Sequence, residues 1–400
     1  MPALSARLSR TELAATFAMA AKARALRAAG HDVISLSLGE PDSCTPAHII
    51  EAAHAAALRG ETKYPPLSGT EALKAAIQRK YLRDQKLAVA LPDILVTNGG
   101  KQAIFNVVMA VIDAGDEVII PAPAWAGYEQ TVQFAGGVTV FAPCTQAQNF
   151  VLQPEVLEAA ITPRTRLLLL NYPNNPSGAA CDAAALRKLA EVLRHHPDIW
   201  VLSDDIYEHL LFDGFTYATL AAVAPDLADR IVTMTGVSKS YAMTGWRIGF
   251  CAGPSQLIKA MTVVQATATS GVSSIGQAAA VAALEGPQDF LTTRAAAYQA
   301  RRDLVVKALN EIPGMACHKP NGAFYVFPNI SSFIGRTSKA GTRLDDDTAF
   351  AAALLDEAFV GVVQGAAFAS SPHIRISTAT DEKQLETACT RIAEFCAALR

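Results

Sequence analysis

Four short stretches of this chain set a reactive side chain beside a turn. In Ser238-Lys239-Ser240, a lysine sits in a Ser/Gly-rich loop, and Arg247 follows eight residues later. Such a lysine can lose its proton and add to a carbonyl as a Schiff base, and the arginine can grip a phosphate with two parallel hydrogen bonds. Asn98-Gly99-Gly100-Lys101 opens a helical stretch. Free backbone N–H groups at a helix start, reinforced by the dipole, make an anion site in outline. It is not a Walker loop, because Gln102 follows Lys101 where Ser or Thr is required. Ser203-Asp204-Asp205-Ile206-Tyr207 adds an acceptor and a donor, and Asn171 to Gly178 adds an Asn-rich turn containing Asn175. Each residue alone has a plain structural alternative: Lys239 a solvated loop lysine, Asp204 a strand-end or helix-cap acid, Arg247 a domain salt bridge, Arg375 a surface strand residue, Trp125 ordinary core. The chemistry rests on their joint occurrence in one order.

The elements that must position them are legible as apolar runs. Ile94–Thr97, Glu117–Ile120, Val138–Phe141, Arg166–Leu170, Ile199–Leu202, Ile231–Thr235 and Ile248–Cys251 alternate with helical stretches near 101–113, 125–135, 155–160, 182–195 and 255–285. Continuous apolar strands between helices predict an α/β architecture with a mostly parallel, doubly wound sheet. In such sheets ligands bind beyond the carboxyl ends of the strands, where the four polar stretches fall. Past Pro287 the pattern predicts a smaller α+β domain: a long charged helix, strands at 323–327 and 373–377, and helices near 347–359 and 381–399. Residues 329–347 read as a surface loop without core residues. The expected division is an N-terminal arm with part of the small domain (1–47), a large cofactor-binding domain (48–290) and a C-terminal small domain (291–400). A lysine for an aldehyde, an acid for a ring nitrogen and a cradle for a phosphate are together the demands of pyridoxal 5′-phosphate.

At these residues the chain resembles the class I aminotransferases of the type I pyridoxal-phosphate fold, and within them the bacterial aspartate aminotransferase branch. The resemblance is carried by Ser238-Lys239-Ser240-Tyr241-Ala242-Met243-Thr244-Gly245-Trp246-Arg247-Ile248-Gly249, with Gly39-Glu40-Pro41-Asp42, Asn174-Asn175-Pro176-Ser177-Gly178, Ser203 to Glu208 and Arg375-Ile376-Ser377 in matching order. It implies that Lys239 binds the cofactor covalently and shuttles the substrate proton. Asp204 would keep the pyridine nitrogen protonated, Tyr207 and Asn175 would bond the ring oxygen, and Trp125 would stack on the ring. Gly99, Gly100, Lys101 (by its backbone), Ser238 and Arg247 would hold the phosphate, with Tyr64 reaching it from the second subunit of a homodimer. Arg375, Gly39 and Asn175 would hold the substrate α-carboxylate. Lys101 and Thr16 would approach a distal carboxylate, which suits aspartate and prephenate equally; an aromatic donor, a β-lyase and a non-catalytic cofactor-binding regulator are the remaining readings. Ala124, Gln364 and Thr378 depart from the family pattern at positions expected to touch substrate shape.

Composition narrows the alternatives. Of 400 residues, 51% are hydrophobic and only 18% charged, against about 25% charged in ordinary globular chains, which excludes a disordered chain. Thirty-four basic and 37 acidic residues leave a net charge of −3, without the basic excess a nucleic-acid binder uses. No apolar run is long enough for a membrane helix. Seven scattered cysteines without a CxxC pair, and eight histidines without HExxH, argue against a metal site and for a reducing, cytoplasmic setting.

Overall fold

The apolar runs assemble into one seven-stranded sheet. The computed structural model describes residues 4–11 and 15–400, with side chains from residue 18 onward in the first helix, Ala15–Ala28. The strands are β1 (Ile94–Thr97), β2 (Glu117–Ala122), β3 (Val138–Pro143), β4 (Thr165–Asn171), β5 (Trp200–Asp204), β6 (Ile231–Gly236) and β7 (Gly249–Ala252). Their order is β1-β7-β6-β5-β4-β2-β3. All contacts are parallel except those of β7, which runs against both β1 and β6. Every residue of β1, β2, β6 and β7 is buried, as expected of strands covered on both faces. The edge strand β3 is mostly uncovered, with Val138 46% and Phe141 36% exposed.

One reversal matters for function. Because β7 is antiparallel, its amino end lies at the rim where its neighbours end: Gly249 pairs with Thr97 of β1 and with Gly236 of β6. Arg247, two residues upstream, is thereby delivered to the same rim as Gly99 and Lys239.

Two expectations are corrected. The single helix over 255–285 is two, Ser255–Ala268 and Ser274–Glu285; the chain breaks at Ser270, whose φ of 61° lies in the left-handed region and ends any helix. Residues 329–347 are not a coreless loop either. Ile330, Phe333 and Leu344 are at most 1% exposed and pack in the C-terminal core with Phe350, Leu354 and Ile392. Their spacing follows no helix or strand period, so the pattern concealed them.

That C-terminal core is closed by the helices Asp289–Asn310, Asp347–Ala358 and Glu382–Ala397 and by a three-stranded antiparallel sheet, Val363–Gln364, Ile374–Ser377 and Tyr325–Val326. The N-terminal arm joins it: Ile34 and Ser35 pair in parallel with Val360 and Gly361, and Ile34 and Leu36 enter the same core.

Candidate active site

Beyond the carboxyl ends of the large sheet lies a cavity of about 400 Å³, lined among others by Gly39, Gly100, Lys101, Trp125, Asn175, Asp204, Tyr207, Ser238, Lys239, Arg247 and Arg375. Gly100 and Lys101 follow β1, Trp125 follows β2, Asn175 follows β4, Asp204 and Tyr207 lie at the end of β5, Ser238 and Lys239 follow β6, Arg247 precedes β7, Arg375 lies on the small sheet and Gly39 on the N-terminal arm. β1 ends at Thr97, and two residues on, Gly99 caps the helix Gly100–Val111 with φ 78°. This left-handed conformation suits glycine, and a Cβ there would overlap the Arg247 guanidinium. The exposed Arg247 donates to the carbonyls of Thr244 (2.9 Å) and Asn98 (3.2 Å). Helix N–H groups and a guanidinium thus face one end of the cavity, an anion site by both dipole and charge.

At the other side, β5 ends in Asp204, 3% exposed. Its Oδ2 accepts from Tyr128 Oη at 2.6 Å and its Oδ1 from the Ile206 N–H at 3.2 Å, while Asn171 Nδ2 donates to its carbonyl at 2.9 Å. Burial pushes the Asp204 carboxyl up to about 6, against the pull of Tyr128, Ile206 and Lys239. A cationic group brought against it would restore its charge.

Lys239 stands between these ends, its Nζ donating to the Gly39 carbonyl at 2.5 Å and lying 5.8 Å from the Tyr207 ring centre. Burial, with the positive charges of Arg375 and Arg247, brings this amine down to about 8, although Glu40 and Asp204 oppose the shift. An amine in that range is partly unprotonated near neutrality and can act as nucleophile and base.

Arg375 enters from the small sheet. It is 2% exposed, donates from Nη1 to Asn175 Oδ1 (2.9 Å) and from Nη2 to the Ser37 carbonyl (2.5 Å), and keeps a buried Nε without a partner. Its guanidinium carbon lies 4.7 Å from the Tyr325 ring centre. No carboxylate faces it among the described residues, so a buried fork awaits an anion.

The other expected residues fall as follows. Trp125 caps the helix Ala126–Ala135 and meets Tyr128 edge-on at 5.2 Å. Lys101 is exposed, its Nζ 5.4 Å from the Trp125 ring centre. Ser238 is buried beside Lys239. The Tyr207 hydroxyl bonds Tyr325 Oη at 2.9 Å, and the Asn175 side chain accepts from Arg375. Tyr64 is not in the cavity but 97% exposed. The side chain of Thr16 lies outside the described residues. Ala124, Gln364 and Thr378 do not line the cavity; Ala124 instead donates its backbone N–H to the Phe368 carbonyl.

Sequence reasoning assigned no role to Tyr128, Asn171 or Tyr325, all of which line the cavity. Asn171 carried a signal, a polar residue ending the Leu167–Leu170 run. Tyr128 carried a weaker one, three residues past Trp125 and so on its helix face. Tyr325 was hidden in an apolar strand.

Comparison with known proteins agrees with this geometry. The family model for class I and II aminotransferases matches residues 31–392. An aspartate/prephenate aminotransferase of Cereibacter sphaeroides is 51% identical over 399 residues, all of both chains. An aspartate aminotransferase of Rhizobium meliloti is 51% identical, covering 98% of this chain and 96% of its own. Among solved structures, an aspartate aminotransferase from Rhizobium meliloti superposes with a TM-score of 0.97 at 50% identity over both entire chains. One from Thermus thermophilus with maleate does so at 0.92 and 40% identity, covering 99% of this chain and 100% of that one. The chain belongs to the class I and II aminotransferases.

Proposed function

We propose that this aminotransferase moves the amino group of L-aspartate to 2-oxoglutarate, using pyridoxal 5′-phosphate held on Lys239. The observation that carries the reading is the placement of one amine of lowered basicity between an anion cradle, a buried carboxylate and a buried arginine fork. The donor set fits this cofactor: helix N–H groups and Arg247 suit a phosphate dianion, Asp204 suits a protonated ring nitrogen, and the partnerless Arg375 Nε suits a carboxylate. The cofactor supplies an aldehyde for capturing amines and a ring that accepts electrons from the substrate Cα.

The residues supply the rest. Gly99, Gly100, Lys101 (by its backbone), Ser238 and Arg247 anchor the phosphate. Asp204, steadied by Tyr128, holds the proton at the ring nitrogen, and Trp125 walls the ring. Tyr207 and Asn175 would hydrogen-bond the ring oxygen. Arg375, with Asn175 and the Gly39 backbone, fixes the α-carboxylate and so aims the Cα–H at Lys239. Lys239 Nζ, as the free amine, would take that proton and act as its carrier. Lys101 would meet the distal carboxylate, joined by Thr16 as the family resemblance implies. The same pair suits prephenate, a second reading favoured by the aspartate/prephenate aminotransferase at 51% identity.

We infer a homodimer in which Tyr64 reaches the partner's phosphate, supported by its 97% exposure beside the exposed Leu58 and Leu67. The boundaries 1–47, 48–290 and 291–400 remain our division of the chain. No helix of the described residues is long and apolar enough to cross a membrane; the cytoplasmic assignment rests on seven free cysteines.

An amino-donor panel with 2-oxoglutarate, run with absorbance spectra of the purified protein, tests the reading. Aspartate is expected to lead alanine and leucine by about 100-fold or more in kcat/KM, because a site built for a charged group rejects analogues lacking it. Equal rates with alanine would overturn the dicarboxylate assignment. A Lys239→Ala variant with full turnover would overturn the mechanism.

A further inference from the structure

Tyr325 is a buried tyrosine with no part in the chemistry above, and it touches two groups that have one. It lies on the strand Tyr325–Val326, paired with the strand that carries Arg375, whereas Tyr207 follows β5 of the large sheet. Their hydroxyls meet at 2.9 Å, so this bond bridges the two sheets. A Cβ at Gly39 would overlap Tyr325 Oη; the glycine leaves that hydroxyl its room.

The direction of the bond follows from counting protons. A phenol has one proton to give. If Tyr207 gives its proton to Tyr325, none is left for a ligand in the cavity. If Tyr325 donates, the Tyr207 proton is free to face inward. The Arg375 guanidinium lies 4.7 Å from the Tyr325 ring centre, and a cation over a phenol ring makes it the stronger acid of a pair, hence the donor. Burial raises both hydroxyls, and Arg375 opposes that rise at each.

We propose that Tyr325 is a positioning residue that turns the Tyr207 proton toward the cavity and ties its strength as a donor to the charge on Arg375; this rests on reading the cavity as a lysine-bound pyridoxal phosphate site. A carboxylate arriving on Arg375 neutralises the charge over the Tyr325 ring. Tyr325 then donates more weakly to Tyr207, and Tyr207 more weakly into the cavity. The lysine-bound group becomes more basic as substrate binds, when a base is needed. The other charged groups facing Lys239 are Glu40, Asp204, Arg247 and Arg375, and those facing Tyr207 are Arg375 and Asp204; Tyr325 acts against that fixed background.

The test uses holoenzyme and the absorbance of its bound cofactor, titrated with pH, with and without succinate, a dicarboxylate that has no amine to react. Tyr325→Phe keeps the ring beneath Arg375 and deletes the hydroxyl alone. Its midpoint without succinate is expected to rise by roughly half to one pH unit, the worth of one lost hydrogen bond. The upward shift that succinate causes is expected to be smaller than in the wild type. Combined with Tyr207→Phe, it should add almost nothing to the Tyr207→Phe shift, the sign that both act through one path. If Tyr325→Phe does not fold or load, Gly39→Ala, which crowds the same hydroxyl, is expected to raise the midpoint likewise. A wild type that binds no cofactor overturns the reading of the cavity. A wild type that titrates normally beside variants with unchanged midpoints and undiminished succinate shifts overturns the role of Tyr325 alone.

Discussion

The two arginines that face this cavity are held in opposite ways. Arg247 is exposed at the mouth, its guanidinium resting on the carbonyls of Thr244 and Asn98. Arg375 is 2% exposed, stacked near Tyr325 and Phe368, with a buried Nε that bonds nothing. An exposed guanidinium keeps its water and costs the fold little. A buried one carries a standing desolvation cost, which lowers its pKa, and it attracts an arriving anion strongly because no water screens the pair. The difference suits the two anions assigned to them. A phosphate that stays through many turnovers can be held by several modest contacts, including backbone N–H groups. A carboxylate exchanged at every half-reaction needs one strong contact that also aims the Cα–H.

Exchanging each arginine for lysine breaks that comparison if it is wrong. Arg375→Lys keeps the charge and loses the fork, which is not conservative at a bidentate site. We expect kcat/KM for aspartate to fall by about 100-fold or more, with cofactor affinity close to wild type. Arg247→Lys should do the reverse: cofactor dissociation about tenfold faster or more, and kcat/KM within a few-fold once cofactor saturates. Steady-state kinetics beside cofactor titration by absorbance checks both. Two variants with the same profile would mean that the two ends of the cavity are not specialised.

Asp204 sharpens the contrast between buried and exposed charge through pH. Its carboxyl is raised to about 6 in the fold, from about 4 in an unfolded chain. The folded state therefore holds its proton more tightly, and stability falls as pH rises from about 4 through 6. Asp204→Asn has no proton to lose. Without cofactor it should match the wild type at pH 4 and exceed it by up to about 3 kcal/mol at pH 7.5, read as urea midpoints at each pH. With cofactor present the order should invert, because the variant has lost the counter-charge of the ring. An Asn variant no more stable at pH 7.5 would show that Tyr128 and the Ile206 N–H already satisfy the charge.

The same contrast explains what could be read in advance. Leu167 to Leu170 announced a strand buried on both faces, and the Asn-rich turn beyond it announced a rim. Lys239, Asp204 and the glycine pair at 99 and 100 were legible because each breaks an apolar run. Arg247 was legible as a residue type, but its route into the site was not: it arrives through the antiparallel course of β7, and nothing in Gly249–Ala252 declares a direction. Tyr325 and Ile330 were illegible for a shared reason. Tyr325 lies in an apolar strand, where nothing local marks the residue that meets Tyr207, and Ile330 lies in an irregular segment; the place of each is decided by distant partners and not by local period. The role proposed for Tyr64 would lie beyond any single chain, since it would require a second copy.

Lys101 is the third cation, and the comparison can be turned on it. It follows the glycine pair in the chain, so it belongs to the phosphate end by sequence. Its ammonium, however, is exposed and 5.4 Å from the centre of the Trp125 ring, on the cavity lining. If it serves the phosphate by charge, Lys101→Met should weaken cofactor binding and leave the ranking of donors intact. If it meets the distal carboxylate, cofactor binding should hold, and kcat/KM should drop for aspartate and 2-oxoglutarate but not for apolar donors. We expect the second outcome, with a loss of about tenfold, modest because an exposed ion pair shares its attraction with water. The ratio of kcat/KM for aspartate to that for phenylalanine, measured in wild type and variant, is the decisive number. A fall of that ratio toward one makes Lys101 the exposed counterpart of Arg375; an unchanged ratio with a raised cofactor dissociation constant assigns it to the cradle with Arg247.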